Sequence, residues 1–449
     1  MFFWEKGKPQ KYWCFPTALL CTWIFSASGS NSIYNHDFIR SNSFAEEVSQ
    51  NEFGDLSQKV RGFLAFDNKE DFHFVEWSSS GHYLIVENKS LEIVEVIRIR
   101  DKVSLYSVPY GEKFVSTVVN LSPNEKYLAI ALKAKQSESL QKRYYLDILD
   151  LEVGQKIASF EHEGSIGDLH WSPDSQNIAT VGLERGRGDN IVRAFSVGSN
   201  RELFQIAHNR GPRNAVNSFR WSPDSKYIAT ASRNGNTHIF SVSAHSEIMT
   251  IFHNQPVLDI NWSPNSDFIS TISLGGTKVV NILTQEELSG FGENSDEAFW
   301  SPDGKYISTD SFHDSRITNY SFVDMQEVSS IEYERMNYVP SQWSPDSRYI
   351  AAVESNNSVA IMNIENAQNI ISIEHKGIVS DIAWSFDSRY LATVYDGKIK
   401  VFDTVSSREL KIPEINSRSE FVYWNPSGQY LVVEGFSPKP TVTVLLVHE

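Results

Sequence analysis

The chain has 449 residues, an aromatic content of 12% and a formal net charge of −16. This acidity argues against general binding to nucleic acid or to an anionic membrane, because either surface would repel the protein. Length alone would suggest about three domains, but a repeat that runs through most of the chain favours one.

The beginning of the chain differs from the rest. A lysine-rich start is followed by an apolar run from Tyr12 to Phe25 and then by Ser26-Ala27-Ser28. This order is typical of a secretory signal peptide, and the run is shorter than the ~20 residues of a membrane span. We therefore expect residues 1–28 to be cleaved and the protein to be secreted or periplasmic. A membrane anchor at residues 12–27 and a misassigned start, which would leave the protein cytoplasmic, remain alternatives.

Both cysteines, Cys14 and Cys21, lie in this segment, so the mature chain would contain none. A disulfide framework, a thiolate metal site and a cysteine nucleophile are then excluded for the mature protein. Residues 29–58 are rich in Ser, Asn and Glu without a clear period, and we interpret them as a linker. The remaining residues, 59–449, carry the repeat.

The repeat is built around a short phrase of the type Trp-Ser-Pro-Asp-Ser, followed by a β-branched run. Nine anchor residues begin the phrase or a weaker copy of it: Trp77, Leu121, Trp171, Trp221, Trp262, Trp300, Trp343, Trp384 and Trp424. Neighbouring anchors lie 38 to 50 residues apart. This spacing is typical of propellers, in which each unit is one small sheet that must stack on others to bury its faces.

The unit from Pro256 to Phe291 shows what one copy encodes. An extended run ends at Trp262, and Ser263-Pro264-Asn265-Ser266 has the composition of a tight turn. Two β-branched runs follow, separated by Gly275-Gly276, and a less regular run precedes the next anchor. The pattern predicts four short antiparallel strands, which is one propeller blade.

The unit from His375 to Asp403 resembles a WD-repeat β-propeller blade, with Phe402-Asp403 where that family usually has Trp-Asp. Phe195 and Phe240 replace the same Trp in other units. The resemblance covers roughly residues 60–449 and implies the WD-repeat propeller fold. The phrase is also similar to that of the periplasmic propeller that accompanies the Tol–Pal system, which we place second.

We therefore predict an all-β protein with a single closed β-propeller of nine four-stranded antiparallel blades. Eight blades would result if the unit at Leu121, which lacks the Trp, is irregular. The run at Lys59–Phe66 is a spare strand, and the last unit ends after its third strand near Val447. We expect these two to pair, because the pairing closes the ring and removes an exposed edge.

The candidates for chemistry have simpler explanations. The repeated histidines are His162, His208, His253 and His375, and the repeated turn carboxylates are Asp174, Asp224, Asp303, Asp346 and Asp387. Each set recurs at one place in the repeat, which favours structural histidines and turn-forming aspartates. Zinc, phosphate-loop and nucleophile-elbow motifs are missing from the sequence. We expect no catalytic residue, no metal and no cofactor.

One feature does not follow from the repeat. Arg185 and Arg187 lie in a long connection between a second and a third strand, and Arg210 and Arg213 lie in the connection to the next unit. These two kinds of connection emerge on the same face of a blade, and Arg side chains suit carboxylate or phosphate groups. We predict that the four arginines bind an acidic surface of a protein partner.

The leading hypothesis for function is a non-enzymatic scaffold that binds other proteins, as WD-repeat proteins commonly do. One alternative is an extracytoplasmic enzyme with its active site in the central channel. A passive structural or surface component is another. We further expect a monomer that binds no nucleic acid, and whose mature chain does not insert into a membrane.

Overall fold

The computed structural model describes residues 61–66 and 72–447, apart from 112–113, 136–143, 163, 183–190, 209–214, 274, 289–290, 292–294, 312, 334–338, 355–356, 414, 416–417 and 438–439. The expected signal peptide and linker lie outside these residues, so that division of the chain stays a prediction. Within the described residues the protein is all-β, with 36 strands in nine four-stranded antiparallel sheets. No helix in this part of the chain is long and apolar enough to cross a membrane.

The first strand, β1 (Arg61–Phe66), precedes three blades. Blade one consists of β2 (Phe72–Trp77), β3 (Tyr83–Asn88), β4 (Ile93–Arg98) and β5 (Val103–Pro109). Blade two consists of β6 (Phe114–Leu121), β7 (Tyr127–Ala134), β8 (Tyr144–Asp150) and β9 (Gln155–His162). Blade three consists of β10 (Ile166–Trp171), β11 (Asn177–Gly182), β12 (Ile191–Ser196) and β13 (Arg201–Ala207).

The middle of the chain forms three further blades. Blade four consists of β14 (Val216–Trp221), β15 (Tyr227–Ser232), β16 (Asn236–Ser241) and β17 (Ser246–Phe252). Blade five consists of β18 (Val257–Trp262), β19 (Phe268–Ser273), β20 (Gly276–Asn281) and β21 (Glu287–Leu288). Blade six consists of β22 (Glu297–Trp300), β23 (Tyr306–Ser311), β24 (Arg316–Ser321) and β25 (Glu327–Glu332).

The last three blades complete the fold. Blade seven consists of β26 (Gln342–Trp343), β27 (Tyr349–Val353), β28 (Val359–Asn363) and β29 (Gln368–Ile373). Blade eight consists of β30 (Val379–Trp384), β31 (Tyr390–Tyr395), β32 (Lys398–Asp403) and β33 (Arg408–Leu410). Blade nine consists of β34 (Arg418–Trp424), β35 (Tyr430–Ser437), β36 (Thr441–Leu446) and β1.

Blade nine joins the two ends of the described chain. Its fourth strand is β1, which pairs antiparallel with β36 from Arg61↔Leu446 to Phe66↔Val442. The expected pairing of the spare strand is therefore confirmed, and so are the nine blades. The unit at Leu121 forms the complete blade two, so the eight-blade alternative does not apply.

The hydrophobic core consists of nine clusters, and each cluster lies between two neighbouring blades. Between blades three and four, for example, Ile206 packs with Phe219 and Trp221. Between blades nine and one, Val444 packs with Trp77. Because a single sheet leaves both faces bare, this stacking is where most apolar area is buried.

The anchor tryptophans are central to these interfaces. The six that carry the clearest phrases, at positions 171, 221, 262, 300, 343 and 384, are buried with 9% exposure or less. Most stack on an aromatic residue that begins the second strand of the preceding blade. The ring centroids of Tyr127 and Trp171 are 6.1 Å apart, and those of Tyr306 and Trp343 are 5.7 Å apart.

The indole nitrogens add a second link between blades. Trp221 Nε1 donates to the backbone oxygen of His170 at 2.9 Å, and Trp384 Nε1 donates to that of Gln342 at 3.1 Å. In both cases the acceptor is the residue just before the preceding anchor. The same bond recurs for Trp171, Trp262 and Trp424. Buried polar groups are costly without partners, so these bonds define how neighbouring blades are aligned.

The two faces of the ring are built differently. We call the face that carries the first-to-second and third-to-fourth turns the turn face. The opposite face, with the second-to-third connections and the connections between blades, is the loop face. In every blade the second strand begins six positions after the anchor, as Trp171 and Asn177 show. On the loop face, by contrast, β31 ends at Tyr395 and β32 begins at Lys398, whereas β7 ends at Ala134 and β8 begins at Tyr144.

Candidate interaction site

The predicted arginine site belongs to the two connections that follow β11 and β13 of blade three. Arg185, Arg187, Arg210 and Arg213 all lie outside the described residues, so their clustering stays a prediction. The strands that flank them are described. The registers Ile166↔Gly182 and Ile191↔Ala207 place the ends of β11, β12 and β13 at one edge of the sheet. Both connections therefore start from the same face.

The four repeated histidines each bond a threonine in the second strand that follows. The Nε2–Oγ1 distances are 3.1 Å for His162–Thr180, 2.8 Å for His208–Thr230, 2.7 Å for His253–Thr271 and 2.8 Å for His375–Thr393. The interpretation of these residues as structural is confirmed. The contact between His and Thr is also present in the units where Phe195 and Phe240 replace the closing Trp.

Burial also changes how these histidines titrate. It lowers the pKa of His208 to about 3, with a further contribution from the neighbouring His238 ring. Burial lowers the pKa of His253 and of His375 to about 4. The three imidazoles are therefore neutral at pH 7, and each holds a blade together instead of presenting a proton to solvent.

The repeated aspartates hold the turns of the turn face. Ser172 Oγ donates to Asp174 Oδ1 at 2.5 Å, and the backbone N–H of Gln176 donates to the same oxygen at 3.0 Å. Asp224, Asp303, Asp346 and Asp387 accept in the same way. These carboxylates are turn-forming, as the sequence indicated.

The last serine of the phrase has a role that the sequence did not reveal. Ser225 has φ of 61°, a left-handed conformation that usually favours glycine. Its Oγ accepts the backbone N–H of Asp174 in the preceding blade at 3.0 Å. In the same way, the backbone N–H groups of four further turn residues donate to the serine Oγ of the next blade: Asn124 to Ser175, Asp224 to Ser266, Asp303 to Ser347 and Asp346 to Ser388. The only sequence signal was the alternation of Ser with Gly at this position.

An enzyme with its active site in the central channel would need polar residues on the first strands of the blades, and several are present there. Burial raises the pKa of Glu76 to about 8. Both of its oxygens are engaged by β6: Asn120 Nδ2 donates to one at 3.1 Å, and the backbone N–H of Leu121 donates to the other. This carboxyl group therefore links blades one and two. Among the described residues, no group of three His, Cys, Asp or Glu side chains is placed to hold a metal ion.

Other polar residues of the first strands also link neighbouring blades. His170 stacks on Phe219 with ring centroids 4.6 Å apart. Arg220 Nη2 lies 3.5 Å from Asp259 Oδ1. On β30, Asp381 Oδ2 accepts the backbone N–H of Val422 at 3.0 Å. The inner polar groups thus take part in the assembly of the ring, which supports structural roles for them.

A second candidate site is a groove between blades six and seven, with a volume of about 350 Å³. Its walls come from the end of β25 and from β28 and β29. The lining residues are Ser330, Ile331, Glu332, Glu354, Ala360, Met362 and Asn369. The buried Ile331, Ala360 and Met362 supply its apolar part, and sequence reasoning missed it.

Two family models match parts of the chain. The eukaryotic translation initiation factor eIF2A family matches residues 129–283, which run from β7 of blade two to the turn after β20 of blade five. The WD domain, G-beta repeat, matches residues 368–403, from β29 through β32. No curated protein matches the chain.

Solved structures with a similar fold include a designed protein and a natural WD40 domain. The computationally designed Ika8 protein is 16% identical, and the match covers 75% of this chain and 98% of that chain with a TM-score of 0.51. The C-terminal WD40 domain of Sif2 is 15% identical, with 72% and 93% covered and a TM-score of 0.49. The first likeness shows the fold alone. The nine phased blades and the matched repeat at residues 368–403 show that the chain is a β-propeller with at least one WD-type repeat.

Proposed function

We propose that this chain is a non-enzymatic β-propeller that binds another protein through its loop face. The observation that supports this most directly is the contrast between the two faces. The first-to-second turns of the turn face are uniform in length, and their Ser and Asp side chains are engaged with one another. The loop face carries connections that differ in length and sequence. Loops of this kind on a rigid scaffold are where binding residues are concentrated.

Within the loop face, the arginine-rich connections of blades three and four are the proposed contact. Arg185, Arg187, Arg210 and Arg213 stand out in a chain with a net charge of −16. An exposed single ion pair contributes ~0–1 kcal/mol, so only several arginines acting together would hold a partner. The partner surface is accordingly acidic, and binding should weaken as salt rises.

Affinity capture from the native host, with mass spectrometry of the retained proteins, tests this proposal. A variant with all four arginines changed to Ser should lose salt-sensitive partners while it melts like the unmodified ring. The matched control changes four exposed cations of the turn face to Ser, namely Arg100, Lys226, Lys305 and Arg348. If both variants retain the same partners at the same affinity, the arginines are not the contact.

A second candidate function comes from the match of residues 129–283 to the eIF2A family. It would make the chain a participant in translation initiation, inside the cell. Export and translation are incompatible, so the N-terminus of protein isolated from the host separates the two. Cleavage near Ser28 favours the exported binding protein. An intact Met1 on protein that sediments with ribosomes would favour the translation role and contradict export.

A further inference from the structure

We propose that residues 44–56, which precede β1 in the chain, lie on the turn face of blade eight. Their apolar side chains contact Phe386 and Val405, and one of their carboxylates lies beside Arg408. This contact within the chain goes beyond the proposed function and does not depend on it, because it concerns the face opposite to the proposed partner site.

The chain enters the ring at the turn face of blade nine. β1 begins at Arg61, opposite Leu446 at the end of β36, where another blade would have its third-to-fourth turn. The chain before Arg61 therefore emerges on the turn face, between the equivalent turns of blades eight and one. The stretch from residue 54 to residue 60 spans up to ~23 Å when extended, about twice the ~10 Å that separates packed sheets. Residues 44–56 are thus within reach of both neighbouring blades.

The first-to-second turn of blade eight departs from the repeat. It has Phe386 where the phrases of blades two to seven and of blade nine have Pro. The turn itself does not require this ring, and Phe386 is 44% exposed. The backbone N–H of Thr404 donates to the backbone oxygen of Arg389 at 2.9 Å, so the third-to-fourth turn lies alongside. In that turn Val405 is 78% exposed, and blade eight thus presents two apolar side chains on its turn face.

One of these two features recurs in other blades. Val153, Leu283 and Val323 are exposed at the position of Val405 in blades two, five and six. Among the described residues, blade eight is the one blade whose first-to-second turn also exposes a large apolar side chain, that of Phe386. Because blade eight is also a neighbour of the chain entry, it is the blade that suits an apolar part of the preceding segment.

The side of blade eight that faces the chain entry carries an exposed arginine. Leu410 on β33 packs with Leu445 of blade nine, and Arg408, two positions earlier on the same strand, points to the same side by strand alternation. Among the described residues Arg408 has no ion-pair partner, because the cross-strand Asp403 is bound by Arg389 at 2.9 Å. The outer rim of blade eight therefore attracts a carboxylate.

The segment before β1 has the matching chemistry. It combines apolar and acidic side chains without Lys or Arg: Phe44, Glu46, Glu47, Val48, Glu52, Phe53, Asp55 and Leu56. The exposed Asp387 of the first-to-second turn repels these acids, so they are drawn to Arg408 at the outer rim while a phenylalanine reaches Phe386. A short linker gives an effective concentration in the millimolar range, so a contact that is too weak for a separate peptide is occupied within the chain.

Disulfide trapping tests the contact in the full chain with Cys14→Ser and Cys21→Ser, which removes both cysteines. One variant adds Gly54→Cys and Ser406→Cys, the latter in the third-to-fourth turn of blade eight. The matched control adds Gly54→Cys and Arg100→Cys, the latter in the same turn of blade one, on the other side of the chain entry. Each rate of bond formation is divided by the rate at which the ring cysteine reacts with free glutathione disulfide. Tethering alone serves both turns, so we expect at least a tenfold faster normalised rate with Ser406→Cys.

Further substitutions show which side chains hold the segment. Phe386→Ser combined with Arg408→Ser should lower the Ser406→Cys rate to that of Arg100→Cys, whereas Phe252→Ser, at an exposed phenylalanine of blade four, should leave it unchanged. Equal normalised rates in the two turn variants, or no effect of Phe386→Ser with Arg408→Ser, would overturn the proposal. Partner capture is measured separately on the same variants, so this contact can fail while the proposed function stands.

Discussion

The interface between blades three and four differs from that between blades six and seven in the links between inner strands. Both have an interblade bond between turns, from Asp174 to Ser225 and from Asp303 to Ser347, at 3.0 and 2.9 Å. Only the first has an indole bond to the neighbouring inner strand, from Trp221. The turn face is therefore encoded by the phrase itself, whereas the inner links depend on the length of the first strands.

The length of the first strand matters because of a shared irregularity. In β10 the register shifts between Ile166 and Asp168, and in β14 it shifts between Val216 and Ser218. The same kind of shift occurs in β2, β6, β18, β30 and β34. The short β22 and β26 show none. A β-bulge changes the direction of the side chains next to it. A bulge directly precedes Asp168, Asp259 and Asp381, and the first strands of blades six and seven lack one.

Trp221→Ala should have the largest effect on the well-linked interface. Removal of a large buried aromatic side chain costs ~3–5 kcal/mol, because a cavity remains where the ring packed. Chemical denaturation followed by intrinsic fluorescence measures the change in the free energy of unfolding. Unfolding at the same denaturant concentration as the unmodified protein would show that the anchor does not hold blades three and four together.

A gentler substitution separates the hydrogen bond from the packing. Trp221→Phe leaves the backbone oxygen of His170 without its donor, and an unsatisfied buried group costs ~1–3 kcal/mol. Trp343→Phe removes an indole N–H that has no partner, so it should cost less. Equal losses of unfolding free energy in the two variants would contradict the difference we assign to the interfaces.

The histidines predict how stability depends on pH. Because the folded pKa of His208 is about 3 and that of an unfolded histidine is about 6.5, the unfolded chain binds the proton first on acidification. The contribution of His208 to the free energy of unfolding is thus present above pH 6.5 and declines below that pH. At pH 5.5 it has fallen by about 1.4 kcal/mol. His208→Gln should flatten the profile between pH 7 and 5.5. An unchanged slope would show that His208 is not held neutral.

The turn serines should give the smallest effects. Ser225→Ala removes the bond to the Asp174 amide and should cost ~0.5–1.5 kcal/mol in thermal unfolding. The converse change is Gly304→Ser, at a position with φ of 72° where an added Cβ would lie 3.5 Å from Pro264. This serine can supply the bond that the blade five turn lacks, so it should be neutral within ~0.5 kcal/mol. A loss greater than that of Ser225→Ala would show that the left-handed φ outweighs the bond.

Much of the fold was accessible from the sequence because the repeat is phased. Nine anchors predicted nine blades, and the spare strand predicted the β1–β36 pairing. Structural histidines and turn-forming aspartates followed from their constant positions in the repeat. The short β26 was not predictable, because the spacing from Trp300 to Trp343 is ordinary and strand length depends on pairing with neighbours. The groove between blades six and seven was missed for a similar reason: its lining residues belong to different blades.

The central claim is that the ring acts by holding a protein on its loop face. Hydrogen exchange of the full chain, measured with and without a partner captured from the host, tests it most directly. The account predicts slower exchange in peptides that cover residues 183–190 and 209–214, and unchanged exchange in the turns that follow the anchors. Protection confined to those turns, or no protection anywhere with the partner bound, would contradict it.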